Sequence, residues 1–418
     1  MTSPAQHRVW IFSLPAARAA LAIAFMLTVV ASQPAQAQTY TVLHNFTGGQ
    51  DGANPESGVT MDKAGNLYGT TFRGGTSGNG AVYQLRLKNS NFVFNPLYSF
   101  AGGSDGANPE ARVIFGPDGS LYGTTSNGGG NCAPSGCGTV FKLRPPPTAC
   151  KSALCAWTET LVHSFEGIGG GDGDQPGYGD VIFDQAGNVY GTTIYGGGGL
   201  GCVYELTPSG GGWTESFVYL FVLVDGYHPY NGVSFDSFGN LYGTTYDGYQ
   251  GGGQFDLGTV FQLAYSATTG WTEKLLWIFP SSGNSGGNPV AGVIFDQSGN
   301  LYGATTYGNV FELTPSGQLT DLYILTGQVW GNLVMDKAGS LYGTTLDGGR
   351  GFGNVFKLTP SDSGWTYRSL HDFCMAGPPC HDGESPYGNV IIDANGNLYG
   401  TASAGGSGGR GVVWEITP

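Results

Sequence analysis

The chain reads as an all-β protein: a seven-bladed β-propeller of four-stranded antiparallel blades, closed by the N-terminal strand completing the last blade. Three observations carry this reading. The heptapeptide GNLYGTT at 65–71 returns, nearly letter for letter, around Tyr122, Tyr190, Tyr242, Tyr302, Tyr342 and Tyr399. The signature tyrosines stand 54, 68, 52, 60, 40 and 57 residues apart, the period of stacked supersecondary units. The body of the chain consists of short β-branched and aromatic runs punctuated by 75 glycines, and it lacks the heptad-like runs of helical proteins.

Within a unit the elements keep one order. A run such as VIFD is strand a, and an Asp-x-x-Gly-Asn tight turn leads into LYGTT, strand b. A glycine-rich loop precedes GTVFKL, strand c. A variable stretch then precedes WTETLVHSF, strand d. Strands c and d alternate apolar and polar residues with period two. One such sheet cannot bury both faces, so units must pack on one another, and a ring closes the array.

The ends of the chain agree. TYTVLHNF at 39–46 has the pattern of strand d, and GVVWEI at 411–416 that of strand c. The d strands end near Phe46, Phe100, Phe165, Phe221, Phe279, Leu325 and Phe373, which makes seven only if the first belongs to the last blade. The signature is then a packing and turn device. Gly65 and Asn66 turn the chain, Leu67 and Tyr68 face opposite ways, and Gly69 gives room for an adjacent sheet.

The repeat of GNLYGTT, a glycine-rich loop and GTVFKLTP, with DGANP loops between units, resembles the GloVer (gloeo/verruco) tandem repeat of exported bacterial proteins over essentially all of 38–418. The resemblance implies exported repeats and carries no chemistry onto particular residues.

Residues 1–37 have the order of a cleaved signal peptide: Arg8 and Arg18, an apolar run at 19–31, and the small-residue site Ala35-Gln36-Ala37. The expectation is a secreted, extracellular or periplasmic protein whose single propeller domain is 38–418. Six of its seven cysteines fall into close pairs, suited to loop disulfides in an oxidising compartment. The expected pairs are Cys132 with Cys137, Cys150 with Cys155, and Cys374 with Cys380. Cys202 is expected as a buried strand thiol. Removing two arginines and no acid takes the net charge from −14 to −16. Such a surface repels nucleic acid and anionic membrane. No later segment reads as a membrane span, and a monomer is expected.

No G-x-S-x-G, H-E-x-x-H or phosphate-loop motif occurs, so no catalytic residue is assigned and no cofactor is expected. GDGDQ at 171–175 makes Asp172 and Asp174 calcium candidates, although the EF-hand spacing is missing. His44, His163 and His371 sit two residues before the terminal Phe of strand d, where sister strands carry Tyr or Trp, and are read as planar packing residues. Asp62, Asp184, Asp236, Asp296, Asp336 and Asp393 are read as caps of the a–b turn.

The d–a loops are the candidate binding face. Five carry Asp-Gly, at Asp51, Asp105, Asp172, Asp225 and Asp382, and could ring the channel mouth, with Tyr227, His228, Tyr230, Trp330 and Tyr387 near in sequence. Turn chemistry alone accounts for the same residues. The function expected is a binding or scaffold protein for a glycan or another extracellular protein. The alternatives are a polysaccharide-acting enzyme using paired loop carboxylates such as Asp172 and Asp225, and a structural cell-surface protein.

Overall fold

Seven four-stranded antiparallel sheets follow one another along the chain. In blade 1, strand a is Val59–Met61, b is Leu67–Thr71, c is Ala81–Lys88 and d is Asn91–Ser99. Blades 2 to 6 repeat the order a-b-c-d. In blade 7, strands a to c are Ile391–Ile392, Leu398–Ala402 and Val412–Thr417, and the N-terminal strand Thr39–Asn45 takes the outermost place. The Phe46 amide donates to the Gly411 carbonyl at 3.0 Å, as the Phe100 amide does to Gly80 at 3.0 Å in blade 1. The ring is latched by strand pairing.

This computed structural model describes residues 38–418 except 131, 133, 147–156, 249, 252–253 and 282–285. The signal-peptide reading of 1–37 lies outside the described residues. Tyr40–Thr417 form one compact unit. Two of the three expected disulfides are present, Cys132–Cys137 and Cys374–Cys380, and Cys202 is a free, buried thiol. The third expected disulfide, joining Cys150 to Cys155, is not among them, because Cys150 and Cys155 both lie outside the described residues. Among the described residues no helix is long and apolar enough to cross a membrane.

Seven buried clusters hold the ring, one at each blade boundary. Tyr68, Val82 and Phe100 of blade 1 pack on Val113, Leu121 and Phe141 of blade 2. Phe46, Tyr399 and Val413 of blade 7 pack on Val59, Leu67 and Tyr83 of blade 1, closing the circle. Each fully buried large side chain contributes about 1.5–3 kcal/mol.

The signature explains itself residue by residue. Gly65 has φ +82°, a left-handed conformation that turns the chain. Asp62 Oδ1 accepts the amides of Ala64 (2.8 Å) and Asn66 (2.9 Å), while Oδ2 accepts the Asn66 side chain (2.7 Å) and the Tyr68 hydroxyl (3.0 Å). The same cap recurs at Asp184, Asp236, Asp296, Asp336 and Asp393. Thr70 donates to the Ala111 carbonyl of blade 2 at 3.0 Å, a tie between blades.

Gly69 corrects the expectation. Its register partner is Tyr83 of the same sheet, and a Cβ there would run into the Tyr83 ring. The room is needed by a cross-strand aromatic ring, not by the neighbouring blade. Phe141, Tyr204, Phe261, Phe311, Phe356 and Trp414 cover the equivalent glycines.

Candidate functional site: the mouth of the central channel

Strand a is the innermost strand, and Ile182, Ser234, Ile294, Val334 and Ile391 from successive a strands line a channel cavity of about 400 Å³. A polar belt crosses one end. Arg112 binds Asp180 through its amide (3.0 Å) and through Nε (2.9 Å), and Asn389 Nδ2 donates to the same carboxylate at 3.3 Å. Asn389 Oδ1 accepts the Asn332 amide at 2.5 Å, Asn332 Oδ1 accepts the Gly292 amide at 2.7 Å, and Asn332 Nδ2 donates to Asn231 at 3.4 Å.

Beyond the belt lies the mouth on the d–a loop side. One column of the repeat forms its rim, three residues before the Val or Leu that leads into strand a: Glu56, Glu110, Tyr178, Tyr230, Val290, Trp330 and Tyr387. All of these but Tyr230 and Val290 line the small cavity there, with Asn231 and Asn389 beneath. The rings are gathered. Trp330 stands 5.7 Å from Tyr178 and 5.5 Å from Tyr387, edge to face, and Tyr178 lies parallel to Tyr230 at 6.4 Å. Offset and edge-on contacts are the favoured arrangements of aromatic quadrupoles.

The two acids of the rim are perturbed. Burial raises Glu56 to about 7, with Arg73 opposing. Burial, reinforced by the charge of Glu56, raises Glu110 to about 8. At neutral pH the pair therefore holds a proton and offers a carboxylic donor beside an acceptor. The arrangement presents flat apolar faces and hydrogen-bonding carboxyls to one small volume.

The Asp-Gly carboxylates sit elsewhere, turned onto strand d. His44 Nε2 lies 3.3 Å from Asp51, His163 Nε2 3.2 Å from Asp172, and His371 Nε2 2.9 Å from Asp382. Tyr98 and Tyr219 donate short hydrogen bonds to Asp105 and Asp225. Each aspartate also accepts a backbone amide, those of Thr47, Ala101, Glu166, Val222 and Cys374. None lines the mouth cavity. The strand-d histidines are thus more than packing: His44 stacks on Phe94 at 4.4 Å while also holding Asp51.

The two calcium candidates fall in separate groups. Asp172 clusters with His163 and Glu215, and Asp174 with the Cys132–Cys137 sulfurs. His228 is held by Asp247 at 2.7 Å and packs against Tyr195 and Tyr227, and it does not line the mouth cavity as Trp330 and Tyr387 do. Of the loop residues named from sequence, Tyr230, Trp330 and Tyr387 therefore come together at the rim. Glu56, Glu110 and Tyr178 were missed. Their signal was a column that is acidic or aromatic in six of seven units and directly follows a proline in five.

The Gloeobacter/Verrucomicrobia repeat family matches residues 27–154, 148–327 and 249–418. The chain belongs to this family. No curated protein sequence matches it. Among solved structures it is similar to a Bacteroides uniformis ATCC 8492 protein provisionally named a 6-phosphogluconolactonase, at 16% identity and TM-score 0.50, over 83% of this chain and 89% of that one. It is also similar to a Thermus thermophilus protein provisionally named an oxidoreductase (glucose dehydrogenase), at 16% identity and TM-score 0.42, over 74% of this chain and 96% of that one. A third is an auxiliary nutrient binding protein of Bacteroides ovatus ATCC 8483, at 11% identity and TM-score 0.46, over 91% of this chain and 76% of that one. At such identities the likeness of this Gloeobacter/Verrucomicrobia repeat protein to them concerns the fold alone.

Proposed function

We propose that this repeat protein is a carbohydrate-binding propeller of an extracellular or periplasmic compartment, and that its site is the rim of the channel mouth. One observation carries the reading: four aromatic rings and two protonatable glutamates share one repeat column at the channel mouth. Flat apolar rings match the C–H face of a pyranose, and a few placed carboxyls match its hydroxyls. The belt of Arg112, Asp180, Asn332 and Asn389 floors the mouth, so a glycan is grasped at its end and not threaded through. The disulfides fit an oxidising compartment.

The test is a polysaccharide array probed with the purified protein, in calcium and then in chelator. The expected result is saturable binding to one glycan class that Trp330→Ala abolishes. Binding lost in chelator would add calcium to the site. Silence across the array, with capture of an exported protein instead, would overturn the glycan reading.

A second reading, glycan hydrolysis, is favoured by one observation: Glu110 is raised to about 8 beside a second acid, as suits a general acid. Release of reducing ends, abolished by Glu110→Gln, would establish it.

A further inference from the structure

At most blade boundaries an aromatic ring from the next blade's strand d covers the signature tyrosine. Trp157 covers Tyr68 (6.3 Å), Trp213 Tyr122 (6.2 Å), Trp271 Tyr190 (6.4 Å), Trp365 Tyr302 (6.4 Å) and Phe92 Tyr399 (6.4 Å). At the boundary of blades 6 and 7 the equivalent position in the sequence is Gln38, not a ring, yet Tyr342 there is only 8% exposed. The boundary of blades 4 and 5 is different. Leu313 pairs Leu319 there, where blade 3 pairs Leu206 with Glu215. Two residues before, where blade 3 has Trp213, blade 5 has Gly317 in a shortened c–d hairpin.

The uncovered socket is open. Tyr242 is only partly buried, while the other six signature tyrosines are 3% to 8% exposed. A cavity of about 960 Å³ stands between the blades, walled by Phe235, Tyr242, Phe295 and Pro315. On its rim is a second departure from the repeat. The a–b turn of blade 4 carries Phe238, 90% exposed, where the sister turns carry Ala64, Asp118, Ala186, Ser298, Ala338 and Asn395.

A socket missing its ring thus lies beside an unburied ring. We infer that this groove is a self-association surface: two copies meet about a two-fold axis, and Phe238 of each enters the socket of the other. A two-fold interface requires such a self-complementary patch. The groove also carries both signs of charge, Lys274 on one wall and Asp236 and Asp296 on the rim, so the approach is not opposed locally despite a net charge of −14. The surface is formed by the a–b turns and the blade 5 c–d hairpin, and shares none of the mouth residues.

Sedimentation equilibrium of the purified protein, over the widest concentration range it tolerates, tests the inference. A monomer–dimer equilibrium is expected. Phe238→Ser, the residue type of the blade 5 turn, removes the donated ring. Ser316→Arg obstructs the socket from an exposed position. Each should weaken dimerisation by about 30-fold or more, the effect of losing one buried aromatic anchor. Phe238→Trp should keep the dimer, and all three variants should melt with the wild type. A wild-type protein that stays monomeric overturns the inference. So does a dimer that survives Phe238→Ser, or one that survives Ser316→Arg. Glycan binding lost in Phe238→Ser without any dimer would reassign the groove to a ligand.

Discussion

Arg112 of blade 2 and Asp180 of blade 3 form a nearly buried ion pair across a blade boundary at the channel. Nη2 and Nε lie 2.5 Å and 2.9 Å from one carboxylate oxygen, and the two side chains are 18% and 10% exposed. Breaking a buried pair from one side leaves the other charge without its counter-charge. Arg112→Leu should therefore cost about 3–5 kcal/mol in urea denaturation, and adding Asp180→Asn should recover part of that loss. A single-mutant cost near zero would mean that the belt is solvated and the channel wet.

Gly243 sits opposite Phe261, and a Cβ there would meet the Phe261 ring and Val233. Its backbone is ordinary strand, so the requirement is steric and not conformational. Gly243→Ala should destabilise by about 1–3 kcal/mol through overpacking, and Phe261→Leu in that background should recover much of it. Gly212→Ala, at an open strand end, is the control, with an effect within about 0.5 kcal/mol.

These two cases mark how far the sequence could be read. Seven blades and their closure were legible because Asp-x-x-Gly-Asn turns and period-two runs report local geometry, and local geometry repeated seven times admits a ring. The partner of Gly69 was not legible, because a cross-strand register pairs residues far apart in the chain. The Asp-Gly loops misled for a related reason. Asp51 and His44 each suggest chemistry when read alone, yet they satisfy one another. The clue was joint: the five units with the aspartate are those with His or Tyr two residues before the strand-d Phe and a bond between them. The rim column was hidden by its variation, since Glu56 and Tyr387 look unrelated until the ring sets them on one rim.

Stability should fall as pH rises through neutrality. Glu159, Glu215 and Glu273 occupy equivalent places on the d strands of blades 2 to 4. Burial foremost, with the charges of Asp105, Asp172 and Asp225 of the preceding blade adding to it, raises each from 4.5 to about 7. At Glu215 the charge of His163 opposes. Glu56 and Glu110 lie in the same direction, at about 7 and about 8. The folded state holds protons that the unfolded chain releases, so this contribution is full below 4.5 and is lost as pH passes through 7 to 8. Asp236 and Asp336 act oppositely. Burial raises them, but hydrogen bonds from Asn240, Ser340 and the signature tyrosines outweigh it, so their contribution is lost as pH falls through and below 3.8. The melting temperature should peak at about pH 4 to 5, and Glu159→Gln with Glu273→Gln should flatten the descent towards pH 8. A melting temperature that rises from pH 5 to pH 8 would contradict the protonated pairs.

Trp330 and Asp225 separate the rim from the Asp-Gly loops by their different readouts. Trp330 is half-buried on the rim, and its indole donates only to Gln328 at 3.2 Å. Trp330→Ala should abolish glycan binding and, because its ring also packs on Tyr178 and Tyr387, cost about 1–3 kcal/mol of stability. Asp225 is buried and accepts both the Tyr219 hydroxyl and the Val222 amide, at 2.9 Å for the amide. Asp225→Ala strands both donors, so it should cost about 1–3 kcal/mol. The folded fraction should then bind glycan with unchanged affinity, because Asp225 does not line the mouth. The converse pattern, binding lost at Asp225 and kept at Trp330, would move the site from the rim to the loops.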